Sequence, residues 1–103
     1  MMRVVAFVGD LLDRSKISAA VPDAGFARAP ADAAGADVVV IDVKVHPEAV
    51  AAARKLVPDA RIVAYGRHDN PEALEAARSD GADVALPRSR FFQDPAAAVT
   101  FSG

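Results

Sequence analysis

Short runs of consecutive apolar, largely β-branched residues recur along the chain, separated by stretches with helical spacing. Val4 to Val8 is the first run; it ends at Gly9-Asp10 and reads as a strand buried on both faces. Leu11, Leu12, Ile17 and Ala20 then suit one apolar side of a helix that stops before Pro22. Gly25 to Ala29 makes a short second strand, and Pro30 to Ala34 leaves room for about one helical turn. Asp37 to Val43 (DVVVIDV) is the clearest strand. His46-Pro47-Glu48 opens a helix with proline and an acid in its first turn, and it runs to about Leu56.

Arg61 to Tyr65 is a fourth strand, closed by Gly66. Asn70-Pro71-Glu72 supplies a cap, a first-position proline and an acid for a helix that reaches Asp80 and stops at Gly81. Val84 to Leu86 is a fifth strand before Pro87, and Pro95 to Val99 forms a last short helix. Gly35-Ala36-Asp37-Val38 and Gly81-Ala82-Asp83-Val84 repeat one tetrapeptide at two helix-to-strand joints, with glycine for the turn and alanine for close packing. Alternation of strands and helices implies right-handed βαβ units and a parallel sheet.

In such a sheet, function collects beyond the carboxyl ends of the strands. Those ends carry Gly9-Asp10, Asp42, Gly66-Arg67-His68 and Pro87-Arg88-Ser89. With DVVVIDV, then IVAYGR, then GADVALPRS in order, nearly the whole chain resembles the receiver domain of response regulators. The resemblance implies a flavodoxin-like, doubly wound, five-stranded parallel sheet of order 2-1-3-4-5, here with shortened second and last helices. It also implies an acidic pair after the first strand, a phosphoacceptor aspartate after the third, a hydroxyl residue after the fourth and Lys-Pro after the fifth. Carboxylates would hold Mg²⁺, the aspartate would attack the phosphoryl group, and the hydroxyl and ammonium would hold the transferred oxygens.

On that pattern Asp42 falls at the phosphoacceptor position and Asp10 at the second acid. Gly9 replaces the first acid, Gly66 the hydroxyl residue and Arg88-Ser89 the Lys-Pro pair. Glycine cannot donate a hydroxyl hydrogen bond, and a planar guanidinium is no equivalent of a compact ammonium. Asp10 and Asp42 together would hold Mg²⁺ weakly at most.

Each of these residues also has a plainer reading. Asp10 serves as a helix cap, and Asp42 as an ordinary strand-end turn residue. His46 and His68 follow neighbouring strands without the spacing of a metal pair, as surface histidines do. Arg67, Arg88 and Arg90 either gather an anion or form a solvated basic edge. GADVALPRSRFFQDPAAAV is also similar to the last phosphate-gripping segment of (β/α)₈ barrels; 103 residues cannot close one, since a barrel takes about 250, so that alternative requires two half-barrels assembled as a dimer.

Composition narrows the function classes. The chain has 103 residues, which predicts one domain over 1–103, and its hydrophobic content of 52% can fill a core. A formal net charge of −2 carries no basic stripe for nucleic acid. Without cysteine there is no disulfide framework and no thiolate site. No signal peptide or membrane-length apolar run is visible, which makes cytoplasmic location the expectation. Dinucleotide-binding, Walker and nucleophile-elbow motifs are missing.

The resulting expectation is a degenerate receiver that acts as a signalling protein-interaction module, not an enzyme. Phosphorylation at Asp42 would be weak or absent, with no cofactor beyond weakly held Mg²⁺. The alternative is a small phosphotransfer or phosphate-ligand-binding enzyme using Asp10, Asp42 and Arg88. With no output domain in the chain, a protein partner or a second copy is expected to dock on 86–101. Phe91, Phe92, Val99 and Phe101 lie there in a stretch with little periodicity, so their rings are not all expected to reach the core.

Overall fold

The computed structural model describes residues 2–100. Its strands are β1 (Val4–Phe7), β2 (Gly25–Phe26), β3 (Val38–Asp42), β4 (Arg61–Gly66) and β5 (Val84–Pro87). They form one parallel five-stranded sheet in the order β2-β1-β3-β4-β5, the flavodoxin-like arrangement expected from the sequence. Successive side chains on a strand point to opposite faces, so two cores result. Val5, Phe7, Val39, Ile41, Ile62 and Ala64 face a 3-10 turn (Pro30–Ala33), α2 (Ala49–Leu56) and α3 (Pro71–Ser79). Val4, Ala6, Val8, Val40, Val63 and Tyr65 face α1 (Leu11–Ala20), α4 (Arg88–Gln93) and α5 (Pro95–Thr100). The second crossover is thus a single turn of four residues, and the last helical segment is broken into two six-residue pieces. Among the described residues, no helix is long and apolar enough to cross a membrane.

The repeated tetrapeptide has a structural reason beyond its turn. Gly35 and Gly81 have φ of 78° and 119°, which glycine adopts without steric cost. The aspartate that follows ties its strand to the neighbouring one. Arg3 N–H donates to Asp37 Oδ2 at 2.7 Å while Asp37 N–H donates to Arg3 O. At the second joint, Ile62 N–H donates to Asp83 Oδ2 at 2.8 Å while Asp83 N–H donates to Ile62 O. Each joint also carries an arginine. Arg54 donates to the carbonyls of Pro58, Ala60 and Gly81 and to Asp83 Oδ2, and so clamps the α2–β4 turn to the α3–β5 turn. Arg54→Ala should lower the unfolding free energy by about 2 kcal/mol, since those acceptors lose a charged donor. Arg54→Lys should restore little of it, because one ammonium cannot reproduce the fork. Urea unfolding of the two variants measures both effects.

Four local expectations differ from the structure. Leu11 and Leu12 do not face inward: they are 79% and 71% exposed, and Asp13 and Ile17 occupy the inner face of α1 instead. Asp10 caps the helix and sets its phase, and an aspartate four residues before an isoleucine shares its face. Helix α2 begins at Ala49, after Pro47 and Glu48, because the chain first turns at the strand end. There the Asp42 carbonyl accepts from Val45 and His46 N–H groups.

The segment after β5 is helical, as α4, where the sequence shows little periodicity. Phe91 and Val99 lie fully inside their own domain's core, and Phe92 packs half-buried against it. The sequence predicts that not all of these rings reach the core; Phe91 reaches it fully and Phe92 only in part. Stacking on Tyr65 of β4, in the same core that Ile17 of α1 enters, holds Phe91 there. Phe101 lies outside the described residues.

Candidate functional site

Asp10, Asp42, Gly66 and Arg88 all line one crevice of about 500 Å³ beyond the carboxyl ends of the strands. Asp42 is the last residue of β3 and pairs with Tyr65, while Gly66 pairs with Pro87, which immediately precedes Arg88. Asp13, Lys16, Lys44, Tyr65, Arg67 and His68 complete most of the wall. His46 is not among the lining residues, and its ring stands edge-on to Phe7 at 6.3 Å.

Asp13, which the sequence reading passed over, is the centre of the site. Its side chain is fully buried. The Arg88 guanidinium grips it in a fork, Nη1 donating to Oδ2 and Nη2 to Oδ1. Tyr65 Oη donates to the same Oδ2 at 2.9 Å. Aromatic rings support the knot from below. Tyr65 stacks on Phe91 with centroids 4.8 Å apart, and Phe92 stands edge-on to both. Arg88 Cζ lies 4.8 Å from the Phe92 centroid and Lys16 Nζ lies 5.3 Å from it, both within cation–π range. Burial would push the Asp13 carboxyl up. The hydrogen bonds from Arg88 and Tyr65, with the charges of Arg88 and Lys16, outweigh it and hold the carboxyl below its ordinary value.

Asp42 stands in the opposite condition. It is 6% exposed, and Lys44 N–H donates to its Oδ1 at 3.1 Å. Burial chiefly, with the nearby Asp13 charge, raises its carboxyl above the ordinary value despite that hydrogen bond and the Arg88 charge. Asp10 lines the crevice but is engaged as the cap of α1: Oδ1 accepts from Leu12 N–H at 2.9 Å and Asp13 N–H at 3.0 Å. Arg67 is held by Asp69 through two hydrogen bonds of 2.9 and 2.8 Å. The forks of Arg67 and Arg88 therefore serve separate carboxylates, and Arg90 lies outside the lining.

Gly66 has no room for the side chain it replaces. A Cβ there would lie 2.9 Å from Val43 Cγ2 and 3.3 Å from Leu74 Cδ2. Val43 is β-branched and stiff, so a serine or threonine at this position needs the α3 face to shift.

The order of strands and the crevice at their carboxyl ends find counterparts among solved structures. A response regulator protein from Burkholderia pseudomallei, solved with a phosphorylated aspartic acid, a calcium ion and citrate, superposes with a TM-score of 0.82. Identity is 17%, over 97% of this chain and 67% of that one. The chain has the receiver fold. A response regulator from Thermotoga maritima shares the receiver fold at a TM-score of 0.66 and 14% identity, over 85% of this chain and 86% of that one. No family model matches the sequence, and no curated protein matches it.

The receiver fold implies a divalent cation held by carboxylates in this crevice. Calcium takes about six to eight oxygen ligands, several of them carboxylate or carbonyl, while magnesium keeps several waters but still needs one or two carboxylates to hold it. Pairing of Phe7 with Ile41 places Val8 level with Asp42, and Val8 is apolar and buried. Both Asp13 oxygens are taken by Arg88, and Asp10 Oδ1 is taken by its own helix. Among the described residues no group of three or more acids, histidines or cysteines is placed to hold a metal. What is left is at most one oxygen each from Asp10 and Asp42, a donor set that fits the ion poorly.

Proposed function

We propose that this chain is a degenerate receiver working as a protein-interaction module, in which Asp42 is phosphorylated slowly or not at all. The observation that carries the reading is the Arg88 fork closed on buried Asp13. A receiver's basic group has to reach a phosphoryl oxygen on the strand-three aspartate, and here that group is held by another carboxylate. The tight surroundings of Gly66 support the same reading, because no hydroxyl is available there to follow a phosphoryl group.

The module comprises residues 1–103 and works in the cytoplasm on a protein partner or a second copy, without nucleic acid, membrane or turnover. Large apolar side chains around the crevice support docking. Leu11 and Leu12 in the first turn of α1 are mostly exposed, as is Val45 after β3. The outer side of α4, with Phe92 beside Lys16 of α1, continues that surface. The enzyme reading would need Arg88 to leave Asp13 and join Asp10 and Asp42 on a ligand.

Incubation with Mg²⁺ and a small phosphodonor, followed by intact mass measurement, tests the proposal. The expected result is a phosphorylated fraction of a few per cent at most. Stoichiometric mass gain that Asp42→Asn abolishes would overturn it. Asp42→Asn should also raise the melting temperature at neutral pH, because the ionised form is disfavoured in the folded state. That gain should shrink as acid protonates Asp42 in the wild type.

A further inference from the structure

We infer that the Arg88 guanidinium is the resident cation of the crevice, so that charge balance there is complete without metal. The inference deepens the degenerate-receiver reading and rests on it. A buried carboxylate demands a cation, and Asp13 is fully buried. Arg88 meets that demand, and three features of the site suit it and not a metal ion. Its two terminal nitrogens each take one Asp13 oxygen, which leaves no carboxylate edge for an ion. Its Cζ lies 4.8 Å from the Phe92 centroid, over a ring that offers a cation its π face but no coordinating oxygen. Tyr65 fills a further position on Oδ2 with a hydrogen-bond donor, which a metal would repel.

The other carboxylates do not reopen the site. Asp10 offers an ion one oxygen at most, because Oδ1 carries the two backbone hydrogen bonds that cap α1. Asp42 accepts one hydrogen bond, from Lys44 N–H, and a carboxylate so nearly alone in the crevice is a weak divalent site. The recess above Asp13 is shaped for a flat, two-pronged cation backed by an aromatic ring.

The test compares cations. Wild-type protein is melted with 10 mM MgCl₂ or CaCl₂ (concentrations of roughly the size that would saturate a weak receiver-type site) against NaCl at matched ionic strength. No shift beyond the salt control is expected; a clear divalent-specific rise would overturn the inference. Arg88→Ala is then melted with methylguanidinium, methylammonium or Mg²⁺ at equal low millimolar concentrations. Methylguanidinium should raise the melting temperature by about 3 °C or more, above either competitor. Rescue by Mg²⁺ that equals or exceeds it, or no rescue by methylguanidinium, would overturn the claim.

If Arg88→Ala does not fold, Arg88→Lys reads the same point. It should melt below wild type, and equality with wild type would refute the role of the fork. These outcomes separate from the phosphorylation test. A wild type that is phosphorylated in chelator, yet unresponsive to divalent ions, would sink the degenerate-receiver reading and leave the resident cation standing.

Discussion

Arg88→Ala should destabilise the domain by about 3 kcal/mol at pH 7, and more than Asp13→Asn does. Removing Arg88 strands a carboxylate that is fully buried, with Tyr65 as its remaining donor. Breaking a buried pair from the side that leaves an uncovered charge costs roughly 3–5 kcal/mol, and the low end applies because Arg88 itself is 43% exposed. Asp13→Asn leaves no buried charge: Arg88 can turn to water, and the amide oxygen can still accept from Tyr65. The two effects also run differently with pH. In the wild type the folded Asp13 carboxyl lies below its unfolded value, near 3.9 for an ordinary aspartate. Its contribution is fully present above that unfolded value and is lost as pH falls through the lowered folded value. Without Arg88, burial dominates and the folded carboxyl rises above the unfolded one, so the variant gains stability as the pH falls toward 4. The gap between the two proteins should narrow from pH 7 to pH 4 in urea unfolding. A gap that stays constant would mean that Asp13 is not the group left uncompensated.

The same pair explains what could be read from residues alone. The strands were legible because β-branched runs such as VVVI must be buried, and parallel order followed from the helical stretches between them. The crevice was legible because strand ends are fixed by the same runs: Asp10, Asp42, Gly66 and Arg88 meet there. Asp13 was not legible. Its partners Tyr65 and Arg88 lie 52 and 75 residues away, and no local pattern announces a pairing at that range. Two leucines just before it suggested a different phase for α1, yet they point outward. A usable signal existed in the Asp10 cap, which places Asp13 and Ile17 together on one helix face. Helix α4 was hidden for another reason. RSRFFQ has no cap residue and too few apolar positions for a period, and what keeps it helical is the docking of Phe91 against Tyr65.

Phe91→Ala should therefore cost about 3–5 kcal/mol, the usual penalty for emptying a phenylalanine site in a packed core. The Phe91 ring is fully buried, stacks on Tyr65 at 4.8 Å and meets Phe92 edge-on at 4.9 Å. Its loss opens a cavity directly under the Asp13–Arg88 knot, so the phenol that donates to Asp13 loses its support as well. Phe92→Ser should cost less, because that ring is only half-buried, though it removes the aromatic face beneath Arg88 and Lys16. The pair of variants separates folding from association, which the sequence pattern alone would have merged. Urea unfolding should place Phe91→Ala far below Phe92→Ser, and sedimentation should show any change in association with Phe92→Ser, whose fold is kept. Wild-type stability in Phe91→Ala would show that the ring is not in the core. Loss of stability of equal size in both variants would mean that the two rings form one inseparable wedge, and that the outer side of α4 is structural rather than a docking surface.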